Sequence, residues 1–310
     1  MKDAAAEEPM HSTPQPRILI LGGGFAGLRV LYHLAGKAQI TLVDPRPTSL
    51  AKPELPEVAF AGKPVDQTRF ALAPIASRHH ATFVQQRADR IDAAGKAVVL
   101  ADGTRLAYDY LVVATGAVKD YDAIPGFREH GYSVCDDVEA PRLAQALERF
   151  SGGPIVTGAA HSYFSESSGG PSLSAPCEGP IGEVIFMVDR ELRRRKIRDA
   201  ATIGVFTPGD IFFEDVGADV HAALGPQLDR AGITVSTGKD LAEITADRVR
   251  FSDGTEMESA LSIVIPPYRA APIVADSGLG DDHGYFPSDQ AMRHTEHSHI
   301  FNAGDVSALS

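Results

Sequence analysis

Apolar residues gather in short unbroken runs along this chain. The first is Arg17-Ile-Leu-Ile-Leu21, and a continuous run of that length reads as a strand buried on both faces. Gly22-Gly23-Gly24 follows, then a stretch to Gly36 in which Leu28, Leu31 and Leu34 fall on one helical face. That pattern predicts an amphipathic helix closed by Gly36 as its C-terminal cap. Gln39-Ile-Thr-Leu-Val43 predicts a second buried strand, closed by Asp44 and stopped by Pro45 and Pro47. The three elements make a βαβ opening. Leu50 to Pro64 is Pro-rich and reads as loop, and Phe70 to Ser77 as a short helix. From Thr82 the chain reads as strands, with a turn at Asp102-Gly103 and a buried strand at Tyr110-Leu-Val-Val-Ala114.

The same arrangement echoes later. Lys96 to Thr104 is followed by the apolar run Leu111 to Ala114, and Arg248 to Thr255 by Leu261-Ser-Ile-Val-Ile265. Asp102, Gly103 and Thr104 correspond to Asp253, Gly254 and Thr255. A hairpin and a buried strand repeated half a chain apart predict two related halves. The second half then runs from about Tyr121 to Tyr285, with a helix at Gly182 to Arg195 and a strand at Ala201 to Phe206. Ser165 to Pro176 is poor in apolar residues and reads as a surface loop.

Composition narrows the function classes. A chain of 310 residues with 44% hydrophobic and 23% charged residues can bury a full core, at two domains. Lys plus Arg is 29 against 41 Asp plus Glu, a net charge of -12. That balance argues against nucleic acid and against a polybasic membrane clamp. No apolar run approaches the roughly 20 residues of a bilayer span. Residues 1–15 read as a disordered tail without the apolar core of a secretory signal. Two cysteines, Cys135 and Cys177, exclude a disulfide scaffold and a four-cysteine metal site.

Gly22-Gly23-Gly24-Phe25-Ala26-Gly27 fits the dinucleotide-binding fingerprint in its required context, after a strand and opening a helix. Gly22 permits the turn, Gly24 lets backbone approach a pyrophosphate, and Gly27 allows close helix–strand packing. Phe25 and Ala26 start the helix whose free N–H groups face the phosphates. Asp44 ends the second strand, where its carboxylate can take ribose hydroxyls, with Pro45 and Arg46 beside it. Tyr110 to Gly116, with Ala114, Thr115 and Gly116, and Ile300 to Val306, with Gly304 and Asp305, resemble two further segments of flavoproteins with paired dinucleotide-binding domains. That resemblance places Asp305 on the flavin ribitol and makes FAD the expected cofactor. The equivalent place in the second half reads Gly158-Ala-Ala-His161 and lacks the second and third glycines. A nicotinamide nucleotide is therefore not expected there.

Cys177-Glu-Gly-Pro-Ile-Gly-Glu183 stands there instead. With Ser133-Val-Cys135, Pro53-Glu-Leu-Pro56, Gly62 and Ile263-Val-Ile-Pro-Pro267, it resembles the sulfide:quinone oxidoreductase and flavocytochrome c sulfide dehydrogenase family from Arg17 to Val306. The resemblance implies an α/β fold of two Rossmann-like domains. The FAD domain is discontinuous, 16–120 plus 286–310, around a second domain at 121–285. It implies two electrons passing from sulfide through cysteine sulfur to FAD and on to a quinone. Cys177 is then the reactive sulfur, its thiolate favoured by the helix start. Glu183 is a proton-relaying carboxylate whose pKa burial raises, and Cys135 is a disulfide or polysulfide partner or a covalent flavin anchor. A type II NADH dehydrogenase-like enzyme and a non-catalytic flavin-binding redox partner remain alternatives. The family often carries a histidine shortly after the upstream cysteine, where this chain has Asp136, Asp137 and Glu139. Family members also continue past Val306 with a flavin-packing helix and membrane-binding elements. The chain is thus expected to lack a C-terminal part that would carry any peripheral membrane contact. The expected location is cytoplasmic or peripheral on the inner membrane, and a homodimer is left open. His294, His297 and His299 lack metal-site spacing and read as a solvated turn, with no metal expected. Arg190 to Lys196 reads as the charged end of a helix.

Overall fold

The computed structural model describes residues 15–162, 173–175 and 177–307. Two five-stranded parallel sheets organise the chain. The first runs in the spatial order Ile300–Asn302, Tyr110–Val113, Arg17–Leu21, Gln39–Asp44, Thr82–Gln85. The second runs Gly131–Tyr132, Leu261–Ile265, Gly153–Ala159, Ala201–Phe206, Ile233–Ser236. These are the same layout, each sheet taking one edge strand from a distant part of the chain. The continuous apolar runs sit in the middle of the sheets, where both faces are covered: all of Leu261–Ile265 is buried. The expected architecture of two Rossmann-like halves, the first discontinuous, is borne out.

The helices are α1 (Phe25–Leu34), α2 (Leu55–Ala61), α3 (Leu72–Arg78), α4 (Phe127–His130), α5 (Glu139–Arg149), α6 (Gly179–Arg194), α7 (Ala218–Ala231) and α8 (Pro272–Asp276). α1 buries Leu31, and the chain turns at Gly36 with φ +76°. α2 lies in the stretch expected to be loop: Pro53 and Pro56 open helical turns here, since their missing N–H groups have no partner in a first turn. α6 starts three residues earlier than expected, at Gly179. The segment expected as a surface loop before it lies largely outside the described residues.

The echo between the halves is structural. Each half carries a three-stranded antiparallel ribbon, Ala88–Asp92, Ala97–Leu100, Arg105–Ala107 in one and Leu241–Ile244, Arg248–Phe251, Glu256–Glu258 in the other. Asp102 accepts the Thr104 N–H and Asp253 the Thr255 N–H, so both turns close alike. The two crossings between halves pair with each other: Val118–Lys119 lies antiparallel to Tyr268–Arg269. After the second crossing, Val274 and Leu279 pack in the first core beside Phe286 and Ile300. We therefore propose to draw the boundary at that ribbon, ahead of α8. Among the described residues no helix is long and apolar enough to cross a membrane.

Candidate active site

At the end of the first strand Gly22 adopts φ +104°, and a Cβ there would lie 2.2 Å from the Ala114 carbonyl oxygen. A Cβ on Gly27 would lie 1.9 Å from the Gly22 carbonyl oxygen. Around Gly24, by contrast, a Cβ would meet nothing within 4 Å. Two glycines therefore bring strand and helix together, and the third leaves open space over the N-terminus of α1. The four leading N–H groups of a helix have no intrahelical partner, and such an end attracts phosphate. Asp44 is buried, and its two oxygens accept the N–H groups of Gly23 at 2.7 Å and Arg46 at 2.8 Å. Each oxygen keeps a second lone pair for a ribose hydroxyl.

A cavity of about 480 Å³ opens beside these residues, lined by Gly22, Asp44, Arg46, Arg87, Thr115 and Ala271 among others. The Thr115 hydroxyl is buried without a partner. Gly304, with φ +74°, packs so tightly that a Cβ would lie 2.8 Å from that of Ala26. That contact sets Asp305 beside the start of α1. The Gly-rich cradle, the cavity, the orphaned hydroxyl and the placed carboxylate all fit FAD. Phe25, the first residue of α1, is 59% exposed.

The two cysteines come together although 133 and 91 residues separate them from the side chain that links them. The Tyr268 hydroxyl is 3.6 Å from the Cys177 sulfur and 3.9 Å from that of Cys135. Both cysteines are free thiols. Lys52 lies within electrostatic reach of Arg46, Lys119, Asp305 and Cys135, and Cys177 feels the charge of Asp305. Charged groups of both domains thus surround the thiol pair.

Two expectations about this pair change. The Cys177 thiol is not activated by the helix start: burial pushes it up to about 11, with Cys135, Asp215 and Asp305 adding to the shift. Desolvation outweighs the dipole at this depth. Burial likewise raises the Cys135 thiol. Glu183, in turn, is exposed on α6, beside the buried Ile181, Gly182, Val184 and Ile185. The buried carboxylate is Glu178, immediately after Cys177 and fully out of solvent. One of its oxygens accepts the N–H groups of Phe213 at 2.8 Å and Glu214 at 3.0 Å, and the other has no partner. Its own N–H donates to Asp215 at 3.0 Å. Burial raises the Glu178 carboxyl to about 7. Asp136, in the acidic stretch after Cys135, accepts the Tyr121 hydroxyl and the N–H groups of Val138 and Glu139, so it caps α5. Glu178 was visible beside the cysteine, but its neighbours lie some 35 residues on and carry no motif.

His294 is buried rather than solvated. Its ring bonds the Leu279 carbonyl and accepts the Glu296 N–H, because the turn folds back on the first core. Among the described residues no group of three or more His, Cys, Asp or Glu could hold a metal ion.

A model of the pyridine nucleotide-disulphide oxidoreductases matches residues 16–161, the stretch that carries the cradle. Over that stretch, just under half of its length, the chain is similar to the pyridine nucleotide-disulphide oxidoreductases. The sulfide-quinone reductase of Aquifex aeolicus is 25% identical over 308 residues, covering 94% of this chain and 68% of that protein. An NADH dehydrogenase-like protein of Mycobacterium tuberculosis is 26% identical over 307 residues, covering 94% and 73%. The X-ray structure of the Aquifex aeolicus sulfide:quinone oxidoreductase superimposes with a TM-score of 0.85 at 23% identity, covering 95% of this chain and 69% of that one. The expected family resemblance is borne out. The matching model and relatives, with the cradle, support a general FAD-dependent oxidoreductase activity.

Proposed function

We propose that this oxidoreductase takes two electrons from sulfide and delivers them to a quinone. The observation that carries the reading is the thiol pair of Cys135 and Cys177, brought together around the Tyr268 hydroxyl in a chain that also carries the cradle. FAD would be held by Gly22, Gly24 and Gly27, by Asp44 and Arg46, by Thr115 and by Asp305. When bound there it supplies a two-electron acceptor that can also give electrons onward. Lys52 and Lys119 set positive charge beside the buried sulfurs and draw an anion such as hydrosulfide toward them. The low-polarity setting of both thiols keeps water from the sulfur and holds each proton until an anion arrives. Cys177 is the candidate nucleophile, being the less buried of the two. A quinone acceptor, a homodimer and peripheral membrane contact belong to the same proposal.

The runner-up is an NADH-oxidising enzyme, suggested by the name of the Mycobacterium tuberculosis relative. The start of α6 weighs against it. The Phe213 ring lies so close that a Cβ on Gly182 would be 1.9 Å from it, and the Asp215 carboxylate already accepts the Glu178 N–H there. A pyrophosphate needs that end of a helix open and positive. Anaerobic stopped-flow mixing of the FAD-loaded protein tests the choice. Bleaching of the flavin band by sulfide supports the proposal, bleaching by NADH supports the runner-up, and neither points to a redox partner without turnover. Cys177→Ser is expected to slow sulfide-driven bleaching roughly a hundredfold or more while FAD stays bound.

A further inference from the structure

Tyr268 enters the site from the second of the two crossings between domains. Its strand is pinned at three points. Its own N–H donates to the buried Ser162 hydroxyl at 2.9 Å. Lys119 is its partner across the antiparallel ribbon. Asp120 pairs with Arg269 at 3.4 Å. The ring lies under the Lys119 ammonium, 5.9 Å from the ring centre. The phenol is therefore placed by backbone and fixed in orientation before any ligand arrives, and its hydroxyl ends between the two sulfurs.

We propose that Tyr268 is a positioning residue for the thiol pair, its hydroxyl donating to whichever of Cys135 and Cys177 carries negative charge. The inference rests on reading these cysteines as the reactive pair. One hydroxyl carries one proton and rotates freely about its C–O bond, so it can serve either sulfur but not both fully. It is the only side-chain hydrogen bond to the Cys177 sulfur among the described contacts. Other groups around the pair set its balance. Asp215 and Asp305 oppose an anion on Cys177, and Asp136 opposes one on Cys135. Lys119 favours an anion on Cys135, and Lys52 interacts with the same sulfur. The negative surroundings of Cys177 leave Tyr268 as its main source of anion stabilisation. A hydrogen bond to a charged acceptor is stronger than one to a neutral acceptor, so the contact tightens when the proton leaves.

The test is alkylation of the full chain without sulfide, in which the thiolate sulfur bonds to the reagent carbon. Iodide leaves iodoacetamide, while N-ethylmaleimide adds across its double bond. Peptide mass spectrometry reads Cys135 and Cys177 separately. Tyr268→Phe keeps the ring and removes the hydroxyl. We expect labelling of Cys177 near neutral pH to fall about fivefold, by the same factor with both reagents. Equal factors are required because the thiolate fraction scales both rates alike, whereas a change in access affects the bulkier maleimide differently. Unchanged labelling, or unequal factors, overturns the proposal. Should Tyr268→Phe fail to fold, 3-fluorotyrosine placed at Tyr268 supplies a stronger donor in a ring of nearly the same size. It is expected to raise Cys177 labelling, and no change there also overturns the proposal. Because sulfide is absent, the result stands apart from the flavin-bleaching experiment. Normal donation with no sulfide oxidation would leave Tyr268 in place and remove only the functional reading.

Discussion

The carboxyl of Glu178 accepts two backbone N–H bonds through one oxygen and leaves the other buried and unpartnered. Desolvation raises it from 4.5 to about 7, with Asp215 contributing. The folded state thus holds this proton more tightly than the unfolded chain. Its stabilising effect is complete below about pH 4.5 and is lost as pH rises through about 7. The whole effect is about 3 kcal/mol. Glu178→Gln keeps an oxygen for Phe213 and Glu214 and cannot ionise. Urea titrations at several pH values are expected to show wild-type stability falling between about pH 5 and 8, and the variant losing about 3 kcal/mol less over that range. Equal slopes for both proteins would show that Glu178 is ionised in the native state. Cys177 carries the same lesson about burial. A helix start favours a thiolate, but the neighbouring loop from Phe213 to Asp215 closes over the segment and burial dominates.

At the scale of the element, Gly22, Gly24 and Gly27 of the cradle act differently. Gly27→Ala puts a methyl into the Gly22 carbonyl and separates the helix from its strand. We expect a loss of roughly 2–4 kcal/mol, read as a large drop in melting temperature with or without FAD. Gly24→Ala meets open space in the FAD-free protein. Its melting temperature is expected to change by less than about 2 °C, while FAD affinity falls at least about tenfold. Fluorescence titration with FAD checks the second effect, and a normal affinity would mean that the phosphates do not pass over Gly24. The helical period of α1 and the motif spacing were plain in the sequence. The Pro-rich stretch that forms α2 was not, because proline ends helices in their interiors and begins them at their first turns.

Across the whole molecule, α2 of the FAD domain packs on α5 and α6 of the second domain. Ala59 is buried in the second domain's core cluster with Leu143, Leu147, Val184 and Val188. Arg69 adds a link through Asp137 at 2.8 Å. The two halves are therefore expected to unfold together. Ala59→Glu buries a charge at that seam, and calorimetry is expected to show one transition split into two. A single transition at lower temperature would mean that the paired crossing strands, rather than α2, couple the halves.

The sequence by itself determined what depends on neighbours along the chain. The buried strands are contiguous apolar runs, the cofactor cradle is six consecutive residues, and the echo of two halves lies in their order. All of these follow from local spacing, which a linear pattern preserves. Only the tertiary structure decided the surroundings of the cysteines. Tyr268 reaches them from over ninety residues away, Glu178 is buried by a loop with no motif, and Glu183 is turned to solvent. Burial and long-range contacts set the ionisation of these groups, and neither has a signature in the spacing of residues.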